Sequence, residues 1–301
     1  MRSSPLPDIV LNDPTSHPIS QASPAVVVDD GADITIRPLT SLADCQACVA
    51  LQDEVWGPEY GDAIPASLLQ VVTYVGGIVA GAFTPEGDLI GFVFGLAGPI
   101  DGEIGHWSHM LGVRESARNA GVGRMLKEYQ RAELARCGIA RMYWTFDPLM
   151  AKNAHLNLNR LGARVVEYVQ NMYGTTGSPL HHGLATDRIV VVCATGLEPR
   201  QPAYTAAPSS DRCPVLTPEP QDGDVVFGTD DSERPSTLWI EVPEDIQRVI
   251  ASAPAAATAW HAATRENFEW ALGNGYSVTG LHRDPVTSRA FYVFELDQQT
   301  S

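Results

Sequence analysis

From Ile34 to Leu39 apolar and polar side chains alternate with period two until Pro38 interrupts them, which predicts a partly exposed strand. The period then lengthens. Leu42, Cys45, Val49 and Leu51 to Trp56 recur at helical spacing after a capping Ser41, and Gly57-Pro58 stops them, so a helix is expected over Leu42 to Val55. Pro65 opens a second helical stretch that reaches Tyr74, with proline tolerated in a first turn. Apolar runs at 78–84 and 89–96 flank Pro85-Glu86-Gly87-Asp88, a hairpin turn by residue type. A further strand covers 103–113. Between Gly121 and Gly138, Val122, Met125, Leu126, Tyr129 and Ala132 share one helical face, with Arg124, Lys127, Glu128 and Arg131 off it. A strand at 141–146 stops at Asp147-Pro148, a helix at 153–161 stops at Gly162, and strands at 165–173 and 188–195 close the block.

Two breaks frame this block. Residues 1–32 carry Pro5, Pro7, Pro14, Pro18 and Pro24 among Ser, Asp and Asn, which reads as a disordered tail. Residues 199–235 read as a solvated linker, because Glu219 to Glu233 holds six acidic residues and no basic ones. The organisation expected is therefore a tail at 1–32, a main domain at 33–198, the linker, and a C-terminal extension at 236–301. In that extension Thr237 to Pro243, a helix over 265–276 and strands at 277–282 and 290–296 repeat the strand–helix–hairpin order of the preceding block. Two readings stand: a degenerate second copy of the domain's C-terminal half, or a chance recurrence of a common motif. A piece this small buries little core alone, so it is expected to pack on the main domain, covering the site and supplying residues such as Glu241.

Composition narrows the function. Twenty basic residues against 36 acidic ones give a net charge of −16, which argues against nucleic acid or an anionic membrane as partner. No apolar run approaches a membrane span. The N-terminus lacks a charged stretch followed by an apolar one, so a reducing cytoplasm is the expected location. Cys45 and Cys48 form a C-x-x-C inside a helical pattern with no second pair. They read as two buried helix residues, with zinc or redox chemistry the alternative, and no metal site is expected.

The chemistry concentrates at Arg118-Asn119-Ala120-Gly121-Val122-Gly123-Arg124, between a strand end and a helix start. Glycines at 121 and 123 leave the first-turn N–H groups open, and those donors with the helix dipole suit a phosphate. The Rossmann and Walker patterns are both missing. The stretch resembles the GCN5-related N-acetyltransferase (GNAT) superfamily, whose Gln/Arg-x-x-Gly-x-Gly/Ala motif follows the fourth strand, and the element order from Ile34 to about Thr195 is similar too. The resemblance implies an α/β (α+β) fold with a mixed, mostly antiparallel sheet flanked by helices and the C-terminal extension packed on it. It implies an acyl-CoA-dependent N-acyltransferase with acetyl-CoA or succinyl-CoA as co-substrate. Backbone from Arg118 through Arg124 would hold the pyrophosphate, and Leu111 and Val113 would pair with the pantetheine arm where two parallel strands splay. Arg114, Arg118, Arg124, Lys127 and Arg131 are expected around that loop.

Acyl transfer to an amine needs a base, oxyanion donors and a route for the thiolate. His109 is the candidate base, or holds a water that is; a strand histidine satisfied by backbone is the alternative. His106, three residues earlier, falls on the opposite face. The family's usual acid, a tyrosine four residues before the glycine that ends the following helix, is replaced by Leu158, so Tyr173 is nominated as acid. Asp147 sits at a strand end where substrate ligands gather, or caps the next helix. Arg188 suits a carboxylate on the acceptor, or pairs locally with Asp187. Asn153 and Asn171 are nominated for substrate binding, with a helix-start role open for Asn153. Trp56 and Tyr60 line the acceptor pocket or pack the core. The expected partners are a small-molecule amine, an amino acid among the candidates, and a second copy of the chain in a homodimer. Leu158 also keeps open a non-catalytic acyl-CoA-binding protein.

Overall fold

A computed structural model describes residues 26–29, 33–58, 60–174, 184–196, 215–217 and 234–297. Eight strands form the main sheet: β1 (Val26–Asp29), β2 (Asp33–Pro38), β3 (Ile78–Phe83), β4 (Leu89–Ile100), β5 (Glu103–Val113), β6 (Arg141–Phe146), β7 (Arg164–Val169) and β8 (Arg188–Ala194). Their order is β1-β2-β3-β4-β5-β6-β8-β7. Every neighbouring pair is antiparallel except β5 with β6. Helices α1 (Leu42–Trp56) and α2 (Ala66–Tyr74) pack with Phe92, Phe94 and Met110 on one face, and α3 (Val122–Arg136) packs with Ile36, Ala82 and Val93 on the other. This is the mixed, mostly antiparallel sheet flanked by helices that the resemblance implies. Among the described residues no helix is long and apolar enough to cross a membrane.

Local chemistry accounts for the element ends. Ser41 and Asp44 form a capping box at α1, with Ser41 Oγ accepting the Asp44 N–H at 3.0 Å and Asp44 accepting the Ser41 N–H at 3.3 Å. Gly121 begins α3 at φ 78°, a left-handed setting that costs glycine nothing. Cys45 and Cys48 are fully buried in α1, and burial pushes the Cys48 thiol up to about 12.

The second sheet holds β9 (Val215–Leu216), β10 (Thr237–Pro243), β11 (Tyr276–Asp284) and β12 (Arg289–Leu296) in the order β11-β12-β10-β9. β10, β12 and β11 pair in the order and sense of β6, β8 and β7, and each set has one parallel neighbour, β9 or β5. Between the strands lie α5 (Ile246–Ser252) and α6 (Pro254–Gly273), so the helix expected from 265 begins eleven residues earlier, on an alanine-rich run that favours it. One apolar cluster joins the two regions: Trp144, Phe146, Leu158 and Ile189 share it with Leu238, Ile240, Phe268 and Tyr292.

Further boundaries differ from expectation. Val26-Val27-Val28 is apolar enough to add an edge strand within the segment read as tail, and Val215–Leu216 pairs with β10 within the segment read as linker. The rest of both segments lies outside the described residues. β7 ends at Val169 rather than 173, because the chain turns there with Asn171 at φ 44°, a setting asparagine tolerates.

Polar locks reinforce the shared core. Asn159 donates to Leu281 O at 2.7 Å and accepts from Leu281 N–H at 3.0 Å, and the Tyr292 hydroxyl donates to Pro148 O at 2.8 Å. The buried Asp187 carboxylate accepts two bonds from Arg265 (2.6 and 2.8 Å), one from Tyr168 (2.7 Å) and one from the Asn171 N–H (2.9 Å). Burial pushes this carboxyl up, and these donors with His261 more than offset it, leaving it below the usual value. Removing one partner of a buried ion pair costs roughly 3–5 kcal/mol. Arg265 keeps 30% of its side chain exposed and can rehydrate. Asp187→Ala is therefore expected to lower the unfolding free energy by about 3 kcal/mol, the lower end of that range, in urea titration. A loss below about 1 kcal/mol, the worth of one ordinary hydrogen bond, would show that the lock is incidental.

Candidate active site

β5 and β6 touch only at His106↔Met142 and Trp107↔Tyr143, and no pairing with β6 continues from Ser108 to Val113. β4 accepts that same stretch of β5 on its other edge. The β6-side N–H and C=O groups of Ser108 to Val113 thus face an opening, which an extended amide-bearing ligand satisfies in the manner of an added strand. The start of α3 stands beside it: a Cβ built on Gly123 would lie 3.5 Å from Leu111 Cδ2 and 3.9 Å from Val113 Cγ2. The first intrahelical bond runs from Met125 N–H to Gly121 O, which leaves the Val122, Gly123 and Arg124 N–H groups directed outward. Among the five basic residues expected here, Arg118 turns to Val113 O and Arg124 to Glu128, Arg114 pairs with Glu54, and Arg131 reaches Thr195 O. Lys127 points elsewhere.

The opening leads to a cavity of about 640 Å³. Of the nominated residues, His109, Leu111, Asp147, Asn153, Tyr173 and Arg188 line it, as do Trp56 and Tyr60. A bulge between Phe94↔Met110 and Gly95↔Ser108 leaves His109 as the extra residue of β5. It aims the imidazole at the cavity, 6.5 Å from the Tyr173 ring and 6.1 Å from Phe94 between ring centres. Burial lowers the His109 pKa and Asp62 partly restores it, so the ring is neutral near pH 7. Thr145 and Tyr173 hydroxyls lie 3.2 Å apart on the cavity wall. Arg188 sits 5.5 Å over the Tyr173 ring and 3.9 Å from Asp147, and donates to Asp187 O at 2.9 Å. Asp147 accepts the Leu149 N–H at 2.8 Å, so it caps the following turn and faces the cavity as well. Trp56 stacks on Tyr60 at 5.6 Å.

Two expectations change. Asn171 does not line the cavity; its side chain accepts the Thr186 N–H at 3.2 Å and holds the turn after β7. Glu241 pairs with Arg289 at the far sheet, and the C-terminal region supplies Gln247 to the cavity instead. The helix after β6 is α4 (Ala151–Ala154), which widens into a π-turn at His155–Arg160. The extra residue per turn sends Leu158 into the shared core and brings Leu156 and Asn157 to the cavity, where Asn157 accepts the Trp144 indole N–H at 3.0 Å.

The feature least visible beforehand is Lys127. Its side chain is 6% exposed, donates to Ser108 Oγ at 2.7 Å, and stands 4.3 Å over the Trp144 ring at the cavity wall. Burial pulls its pKa down to about 7. Beside it Gln130 donates to His106 Nε2 at 3.0 Å, in a space that a Cβ on Gly95 would fill, and burial with the lysine's charge brings His106 to about 4. His106 thus lies across the sheet from His109, as the alternation implies. Lys127 and Gln130 form a second buried stripe on α3, and the signal available in sequence was slight: one of two lysines in a chain that otherwise uses arginine.

No family model and no curated protein matches this sequence. Solved structures similar to the chain include three acetyltransferases. One, a ribosomal-protein alanine N-acetyltransferase from Escherichia coli, is 18% identical with a TM-score of 0.44, over 55% of this chain and 95% of that one. A GNAT-family acetyltransferase from Streptococcus pneumoniae is 15% identical at 0.43, over 54% and 99%. An aminoglycoside 6'-N-acetyltransferase complexed with coenzyme A is 20% identical at 0.41, over 55% and 99%.

Proposed function

We propose that this chain is an acyl-CoA-dependent N-acyltransferase that moves an acetyl or succinyl group to the amine of a small molecule such as an amino acid. The carrying observation is the splayed β5–β6 pair, with open backbone from Ser108 to Val113, running from the unpaired N–H groups of α3 to the cavity. The pyrophosphate belongs at Arg118 to Arg124 and the pantetheine arm along Leu111 and Val113. Among the described residues no group of three His, Cys, Asp or Glu side chains could hold a metal.

In this reading His109 takes the proton of the incoming ammonium and Arg188, over Tyr173, receives an acceptor carboxylate. A neutral His109 is required, so kcat rises with pH through its lowered pKa. His109→Ala is expected to remove that acid limb and lower kcat about 100-fold, measured by thiol release across pH. An unchanged profile rejects the role.

The class itself is tested by titrating CoA and then screening D- and L-amino acids for thiol release with acetyl- and succinyl-CoA. Gly121→Asp sharpens the first step. Aspartate is a good helix cap and tolerates a left-handed backbone, so the free chain keeps its melting temperature within a few degrees. Its charge opposes a diphosphate, and the Kd for CoA should rise at least about tenfold, or 1.4 kcal/mol. Equal CoA affinity in both chains would place the diphosphate elsewhere. CoA binding without release of thiol to any acceptor would favour the non-catalytic reading that Leu158 leaves open.

A further inference from the structure

We propose that Lys127 is the proton donor to the thiolate that departs when the acyl group is transferred, an inference that rests on the acyl-CoA reading above. An arm anchored at the start of α3 and paired along β5 from Val113 toward Ser108 runs roughly 16 Å, at about 3.3 Å per residue, and ends where β5 and β6 meet. The ammonium of Lys127 stands there, bonded to Ser108 on β5 and lying over Trp144 on β6. Ser108 and Trp144 share the α3 side of the sheet with the lysine, whereas His109 contacts Phe94 and Tyr173 on the other. Acid and base therefore flank the thioester from opposite faces.

Other groups fit the task less well, including Tyr173 nominated above, whose ring faces His109 and whose hydroxyl lies 3.2 Å from Thr145 Oγ1 on the base's side of the sheet. Leu158 is an apolar core residue, and the Asn157 side-chain oxygen is occupied by the indole of Trp144. The other basic side chain at the cavity, Arg188, lies near the Asp147 carboxylate and holds its proton too tightly to give it up. No described carboxylate lies within ion-pair distance of Lys127. Its titratable neighbours are His106 on β5 and the buried thiol of Cys193 on β8, with Arg131 of its own helix acting on that thiol.

The step balances. The neutral amine attacks the thioester carbon, the C–N bond forms and the C–S bond breaks with its electron pair on sulfur. The Lys127 ammonium gives that sulfur a proton, the new amide nitrogen sheds its extra proton to solvent, and solvent restores Lys127 and His109, the latter having taken the ammonium proton before attack. Lys127 must be charged to act, so kcat should fall as pH rises through about 7, the mirror of the His109 limb.

The test uses the full chain and Lys127→Met, which keeps the length and apolar stem of the side chain. Melting and CoA titration come first, to establish that the variant folds and binds. Expected are a CoA affinity within about threefold of the parent, a kcat lower by about 100-fold, and loss of the high-pH limb. Bound CoA gives a readout free of any acceptor: a thiolate beside Lys127 holds the lysine charged, so thiol ionisation followed by ultraviolet absorbance from pH 6 to 10 should begin at lower pH in the parent complex than in the variant. Equal thiolate signals in the two complexes, or a kcat and profile that do not move, would overturn the role of Lys127 alone. Failure of the parent chain to bind CoA would overturn the acyl-CoA reading and this proposal together.

Discussion

A chain ending after Gly196 is expected to come out of cells insoluble, or to show no cooperative melting transition. Cutting there removes Leu238, Ile240, Phe268, Tyr292 and Phe294, all fully buried, from the cluster that holds Trp144, Phe146, Leu158 and Ile189. Loss of a single buried phenylalanine contributes roughly 3–5 kcal/mol of destabilisation, and a domain's whole margin is only about 5–15. The same cut strips the Arg265 bonds from Asp187, both Leu281 bonds from Asn159, and the Tyr292 hydroxyl from Pro148 O. Pro148 follows Asp147 and Asn159 lies on the same turn as Asn157, both cavity residues, so whatever folds would also lose the geometry of the site. Soluble yield and circular-dichroism melting of 1–196 beside the full chain decide the matter. A soluble, cooperatively melting fragment with full activity would mean that the C-terminal region is dispensable.

The second large effect is a gain. Lys127→Met should stabilise the chain at pH 6 and lose that advantage as pH rises above 10. In the folded protein burial lowers the lysine pKa from 10.5 to about 7, whereas the unfolded chain titrates near the ordinary value. Between those pH values the unfolded state binds the extra proton, so the parent's stability climbs with pH. Below about 7 both states are charged and the folded state carries the full desolvation penalty. At 1.36 kcal/mol per pH interval, that penalty is on the order of 5 kcal/mol. Methionine carries no charge and has no such slope, although Ser108 is left without its donor, a loss of about 1 kcal/mol. Urea titrations at pH 6, 8 and 10 measure the difference between the two slopes. Parallel slopes would place the ammonium in water rather than against Trp144. A substitution that strengthens the fold while slowing turnover would mark Lys127 as kept for chemistry, since its charge is held at the fold's expense.

Much of the fold was legible because its determinants are local. Pro85-Glu86-Gly87-Asp88 turns one strand into the next, Ser41 caps α1, and Gly121 takes a backbone setting that few other residues accept. Each of these works within four or five residues, the range over which a sequence pattern carries information. The cavity was legible in part: Asp147 and Arg188 lie at strand ends where the topology collects polar groups, His109 lies on β5 where it parts from β6, and all three face the cavity. Asn171 went to a turn because a strand's end cannot be told from its alternation alone. The bulge at His109 and the π-turn at His155–Arg160 each insert one residue into a regular element, and periodicity averages such insertions away.

Turn chemistry, caps and glycine freedom act on neighbours along the chain, so the order of strands and helices through the main sheet and the glycine-bearing start of α3 could be read from local pattern. Which residues of 237–296 share a core with β6 and β8, that Gln247 rather than Glu241 reaches the cavity, and that Lys127 is buried over Trp144 emerge in the folded molecule alone. Those facts depend on residues 17 to more than a hundred positions apart meeting in space. Burial, and with it the ionisation of a lysine or the fate of a carboxylate, is set by which surfaces meet.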